Sequence, residues 1–280
     1  MGSAGTRAAV VVAVVALTAA GCGGSSHASR KPNPLPPRLA HLFDYDRDAP
    51  LAIRRQTHVH TAGVSVDAIT YAAPGGRVPA LVIVPDRPGR RAGVVFVHGF
   101  GGSRMDFLAE GAGLSLLGAV VVTITSPFGR SPSPASLAPL MIRDVIDIRR
   151  ALDLLLARND VDPKRLAVVG YSLGAEAAVV TAGVEDRLAA AIVQASPARL
   201  DGPNRDLDPI RYVAHAAPAK LFFQGATLDE SVPPRDTEAL IAAAPEGAEY
   251  EWYPTSHSFE PLAFRDQVAW LRDHLGLRRR

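Results

Sequence analysis

Apolar residues are spaced along this chain in patterns that change character twice. An uncharged run, Ala8 to Ala20 (AAVVVAVVALTAA), follows Arg7 near the N-terminus. From Gly23 to Pro37 the composition turns to Gly, Ser, Pro and polar residues, a stretch that cannot bury enough apolar area to order itself. Between Arg54 and Pro85 two β-rich runs, Val64 to Tyr71 and Val78 to Val84, flank the turn sequence Ala-Pro-Gly-Gly-Arg at 73–77, and they predict antiparallel strands.

Beyond Pro85 the rhythm is that of alternating buried strands and helices. GVVFVH at 93–98 and AVVVTIT at 119–125 are continuous apolar runs, as expected of strands covered on both faces, with a helix from Phe107 to Leu117 between them. A long helix is predicted from about Leu137 to Arg158. Its apolar positions Leu137, Met141, Val145, Ile148, Leu152 and Leu155 form one stripe of a 3.6-residue period. The charges Arg143, Asp144, Asp147, Arg150 and Asp153 fall mostly on its other sides, and 159–163 (NDVDP) stops it. Further strands follow at 166–170, 190–194, 220–224 and 249–253, with helices from Ser172 to Ala182, from about Pro234 to Ala244 and from Leu262 to Leu275. This alternation defines the α/β class: a mostly parallel sheet with helices on both faces and an antiparallel N-terminal edge.

Composition narrows the function. With 48% apolar and 21% charged residues, the 280-residue chain can build one sizeable core. The net charge of +2 gives no compositional case for nucleic acid binding, although Arg278, Arg279 and Arg280 make a small basic end. The single cysteine, Cys22, excludes an internal disulfide framework, a multi-cysteine zinc site and a thioredoxin-like pair.

The surroundings of Cys22 point elsewhere. The thirteen-residue apolar run before it is short of the ~20 needed to span a bilayer. A positive start, a short apolar core and the small residues Ala19, Ala20 and Gly21 match a secretory signal. With Cys22 next, the segment resembles the lipobox of bacterial lipoproteins, although Ala19 stands where Leu is commoner. That resemblance implies a signal peptide over 1–21, a flexible tether over 22–38 and one folded domain over 39–280. It also implies a palmitate-type lipid anchor at Cys22, holding the protein on the outer side of the cytoplasmic membrane. Plain secretion, with Cys22 incidental, is the alternative.

Three loops carry candidate chemistry. Gly170-Tyr171-Ser172-Leu173-Gly174 matches the Gly-x-Ser-x-Gly nucleophile elbow, in the strand-then-helix context that the motif requires. His98-Gly99-Phe100-Gly101-Gly102 follows the GVVFV strand. There the backbone N–H of Phe100, with that of Leu173, can form an oxyanion hole. An acid and then a histidine must follow the serine. Asp229 after strand 220–224 is the candidate acid, with Glu230 its rival, and His257 after strand 249–253 is the candidate base. His98 reads as a packing residue of its loop. His58 and His60 lie two apart on one strand face without an accompanying cysteine or carboxylate cluster, so they read as surface residues. The reaction these groups support is acyl transfer on a small-molecule ester, with no metal or organic cofactor.

Residues 64–275 resemble the α/β-hydrolase superfamily. The branch is the dienelactone-hydrolase-like, acetyl-xylan-esterase-like and prolyl-oligopeptidase-type one. The resemblance rests on ITYAAPGGRVPALVIVP at 69–85, VVFVHGFGGS at 94–103, DVDPKRLAVVGYSLG at 160–174, LFFQGATLDESVPP at 221–234 and PTSHSF at 254–259. It implies a triad of Ser172, Asp229 and His257. Two departures favour a carboxylesterase over the alternatives. The nucleophile is Ser172 and not the Cys of true dienelactone hydrolases. There is also no room for the propeller of the oligopeptidases, and Phe100 replaces their frequent Tyr. A peptidase or amidase, or a thioester or lactone hydrolase, is the other reading. Residues 195–218 are too short for a large lid.

Overall fold

The Val-, Ile- and Ala-rich runs form the strands of a nine-stranded sheet in the computed structural model, which describes residues 34–128, 134–198, 205–259 and 261–278. Strands β1 (Arg54–Thr61), β2 (Val64–Ala73) and β3 (Gly76–Pro85) make an antiparallel meander. There follow β4 (Arg91–Val97), β5 (Ala119–Ile124), β6 (Val161–Tyr171), β7 (Leu188–Gln194), β8 (Lys220–Ala226) and β9 (Glu249–Tyr253), all parallel to one another. The helices are α1 (Pro37–Ala40), α2 (Leu108–Leu116), α3 (Pro134–Leu156), α4 (Leu173–Val184), α5 (Pro234–Ala243) and α6 (Pro261–Leu275). Sheet order is β1-β2-β3-β5-β4-β6-β7-β8-β9.

That order has a physical consequence. After β4 the chain moves to β5 on one side, then returns to β6 on the other, so the winding reverses at β4. Ligands of such sheets bind in the crevice outside the strand C-termini at this reversal. One apolar layer joins the sheet to α3, α4 and α5, through Val145, Ile148, Val180 and Leu240. A second joins it to α2 and α6, through Leu114, Trp270 and Leu271.

Several strands run longer than their apolar cores predict. Val161 pairs with Arg91 before a bulge, which carries β6 back five residues before Leu166. Ala226 pairs with Tyr253, which prolongs β8 toward the loop that carries Asp229. Leu35 packs against the core and Leu39 is buried, so the folded part reaches back to the end of the expected tether. Residues 1–33, with Cys22 and the expected signal peptide, lie outside the described residues. No helix among the described residues is long and apolar enough to cross a membrane.

Several charges on the sides of α3 away from its apolar stripe are buried as well. Asp144, Asp147, Arg149 and Arg150 are all buried, and the segment 43–49 lies over the two arginines. Arg149 donates to the Phe43 carbonyl and Arg150 to the Ala49 carbonyl, each at 2.7 Å. Arg149 and Arg187 also surround the buried Glu185. Burial works to raise the Glu185 pKa, but the hydrogen bonds and charge of Arg187 and Arg149 outweigh it and hold the group down at about 2.

Asp147 is the opposite case. Burial pushes its pKa up to about 7, against the weaker pull of Arg143 at 3.5 Å. The unfolded chain then releases this proton near pH 4 and the folded chain near 7. Over that window the folded state holds the extra proton, and stability falls as pH rises. The displacement is worth at most ~4 kcal/mol. Thermal midpoints of the wild type are therefore expected to drop from pH 4.5 to pH 7.5 more than those of Asp147→Asn; parallel curves would remove Asp147 as the cause.

Candidate active site

The crevice at the C-terminal ends of β4, β6, β8 and β9 gathers the three sequence-predicted side chains. Ser172 sits between β6 and α4 at φ 55° and ψ −120°, a conformation that costs a non-glycine residue ~1–3 kcal/mol. Its backbone is held on both sides. The Ser172 N–H donates to the Gln194 carbonyl at 2.9 Å, and its carbonyl accepts from Ala175 and Glu176. The flanking glycines are dictated by contact: a Cβ on Gly170 would collide with the Gly174 carbonyl, and one on Gly174 with the Val97 and His98 carbonyls. Helix α4 thus crosses β4 and β6 closely enough to point the serine outward.

His257 follows β9 and lies with its Nε2 3.0 Å from Ser172 Oγ. Its Nδ1 lies 2.7 Å from Asp229 Oδ2. An ionised carboxylate only accepts, so Nδ1 carries the proton and Nε2 is left to accept from the serine hydroxyl. Asp229 is itself fixed: its Oδ1 accepts from the Ser231 and Val232 N–H groups, both at 2.8 Å. The rival Glu230 is exposed, whereas Asp229 is buried.

Leu173 is the first residue of α4, so its N–H has no acceptor within the helix. Phe100 lies in the loop after β4 with its side chain half exposed. His98 beside it is a structural residue. Its Nδ1 donates to the Gly99 carbonyl at 2.6 Å and its Nε2 accepts from the Ser126 N–H at 2.9 Å. Burial pushes its pKa down, in keeping with a neutral ring whose two nitrogens are both engaged.

Two features of the site were not read from the sequence. Tyr171, the variable residue inside the elbow motif, donates its hydroxyl to the His257 carbonyl at 2.8 Å and packs its ring 5.1 Å from the imidazole. Phe259 packs edge-on against Tyr171 and Tyr253, so the His257 loop is clamped to strands β6 and β9. Below it, Gln224 donates to Tyr253 Oη and to the Ala263 carbonyl, each at 2.8 Å, and accepts from Gln267. This buried network ties α6 to β8 and β9. Behind Tyr171 and Ser258 lies a cavity of about 280 Å³ whose wall includes Phe107, Phe264, Asp106 and Glu110.

The remaining candidates fall elsewhere. His58 and His60 lie on the exposed β1, and each has one carboxylate beside it that the sequence alone did not place there. Asp67 is 2.7 Å from His58 and Asp86 is 3.5 Å from His60. No group of three or more His, Cys, Asp or Glu that could hold a metal occurs among the described residues. Phe128, in the loop after β5, is buried in the core. The described part of 195–218 holds three single turns of 3-10 helix, at 205–207, 209–211 and 213–215, in place of a lid.

A strand-elbow-helix centre at the reversal point of a mostly parallel sheet is the architecture of an α/β hydrolase. The model of the alpha/beta hydrolase family matches residues 94–278, and the chain belongs to that family. No curated protein sequence gives a significant match. Among solved structures, the acetyl xylan esterase from Paenibacillus sp. R4 is similar at a TM-score of 0.72 and 19% identity, over 85% of this chain and 93% of that one. Acetyl xylan esterase 1 from Thermoanaerobacterium sp. JW/SL YS485 gives 0.71 and 15%, over 86% and 95%. A cold-adapted esterase from an Arctic intertidal metagenomic library gives 0.69 and 18%, over 78% and 97%. At such identities the likeness is one of fold, and these structural neighbours are esterases.

Proposed function

We propose that this chain is a serine carboxylesterase, a reading carried by the unbroken line of hydrogen bonds from Asp229 through His257 to Ser172. Ser172 Oγ attacks the ester carbonyl while His257 Nε2 takes its proton, and Asp229 fixes the tautomer and stabilises the imidazolium. The tetrahedral oxyanion is held by the N–H groups of Phe100 and Leu173. His257 then gives its proton to the departing alcohol, leaving an acyl-Ser172 ester. Water enters, loses a proton to His257 and releases the acid. Each turnover consumes one ester and one water and returns every proton. With Cys22 lipidated, the reaction would take place at the outer face of the cytoplasmic membrane.

The esterase character of the structural neighbours supports ester over peptide substrates. The test uses the full chain in mild detergent on p-nitrophenyl acetate and butyrate, beside anilides of the same acids. The ester is expected to have the higher kcat/KM. An anilide turned over as well as its ester would favour the amidase reading, and no turnover of either would defeat the proposal.

A further inference from the structure

The opposite end of the sheet carries a second cavity, of about 550 Å³. It lies at the N-terminal ends of β4 and β6, roughly 20 Å from the triad by the length of β4. Five arginines line it, Arg87, Arg90, Arg91, Arg165 and Arg278, and no carboxylate side chain does among the described residues. This concentration arises in a chain whose net charge is only +2.

The five are not equivalent. Arg91 is paired with Asp160. Arg165 spends its donors on the C-terminal end of α6, giving Nε to the Leu275 carbonyl at 2.6 Å and Nη2 to that of Gly276 at 3.0 Å. Arg87, Arg90 and Arg278 form no ion pair and no side-chain hydrogen bond among the described residues. The backbone nevertheless holds them around one concavity. Arg87 and Arg90 sit on the short loop between β3 and β4, and the Arg278 N–H donates to the Leu117 carbonyl at 3.0 Å. The buried Leu277 anchors the same segment. Ser115, also in the cavity wall, has a buried hydroxyl that meets no hydrogen-bond partner.

We propose that this cavity binds a phosphoryl oxyanion. Arg87, Arg90 and Arg278 are exposed side chains lining one cavity, and an anion bound among like charges offsets their mutual repulsion. Their planar forks match phosphoryl oxygens pairwise. The site is independent of the ester-hydrolysis reading.

The phosphoryl group can belong to a soluble molecule or to a lipid headgroup, and two assays separate the sources. The full chain in mild detergent is titrated calorimetrically with inorganic pyrophosphate, beside the triple variant Arg87→Ala/Arg90→Ala/Arg278→Ala. The variant is expected to lose about tenfold or more in affinity while keeping its thermal midpoint and its ester turnover. Flotation with vesicles of phosphatidylglycerol in phosphatidylcholine, against phosphatidylcholine alone, compares the same two proteins, so that any acyl anchor is common to both. A pyrophosphate difference marks a soluble ligand, and a phosphatidylglycerol preference lost in the variant marks a headgroup. Equal behaviour of wild type and variant in both assays, or binding in neither, would overturn the site.

Discussion

Replacing Ser172 with alanine is expected to lower kcat on p-nitrophenyl acetate by roughly 10⁴- to 10⁶-fold and to abolish labelling by a fluorophosphonate. The scale follows from the geometry. Ser172 Oγ is the oxygen that His257 Nε2 faces, at 3.0 Å, and an alanine there leaves the base with nothing to deprotonate. The fold should be indifferent. The strained φ of 55° is met equally by a methyl side chain, and the Ser172 N–H and carbonyl bonds are backbone bonds that alanine keeps. Thermal midpoints of the two proteins should therefore agree while activity does not. That combination separates lost chemistry from lost structure. Persistent labelling of Ser172→Ala would place the nucleophile elsewhere and sink the assignment.

Much of this site was legible in the sequence because its constraints are local. An elbow needs glycines at fixed offsets from the nucleophile, and the collision that a Cβ would make at Gly170 is with the Gly174 carbonyl of the same motif. The order of acid and histidine follows from the order of strands, so Asp229 and His257 could be chosen by their place after β8 and β9. Contacts made across the fold were not legible. Nothing near Tyr171 in the sequence indicates that its hydroxyl meets a carbonyl 86 residues away. The burial of the α3 charges was not legible because a helical period reports which side faces the sheet, not whether a distant segment covers the other side. Here residues 43–49 do, through carbonyls that accept from Arg149 and Arg150. The arginine cavity escaped for the same reason: Arg87 comes from the β3–β4 loop, Arg165 from β6 and Arg278 from the segment after α6, and they meet only when the sheet is built.

The Asp229→Asn variant tests the acid in a way that truncation cannot. The amide that replaces the carboxylate would keep an acceptor oxygen for the Ser231 and Val232 N–H groups, so the loop has reason to stay in place. The group facing His257 Nδ1 would then be an amide NH₂, which donates and cannot accept. Nδ1 must become the acceptor, and the ring proton moves to Nε2, where it points at Ser172 Oγ. A base already protonated on that nitrogen cannot receive the serine proton, and kcat should fall by about 10⁴-fold near neutral pH. KM should change little, because the Asp229 side chain is buried behind the imidazole. His257→Ala should cost a similar or larger factor, and adding Ser172→Ala to it should cost almost nothing more, since the two groups act as one unit. Glu230→Gln serves as the internal control and should leave turnover within about tenfold of wild type, Glu230 being exposed. The reverse pattern, with Glu230→Gln inactive and Asp229→Asn active, would transfer the acid's role to Glu230 and require the loop after β8 to rearrange when substrate binds.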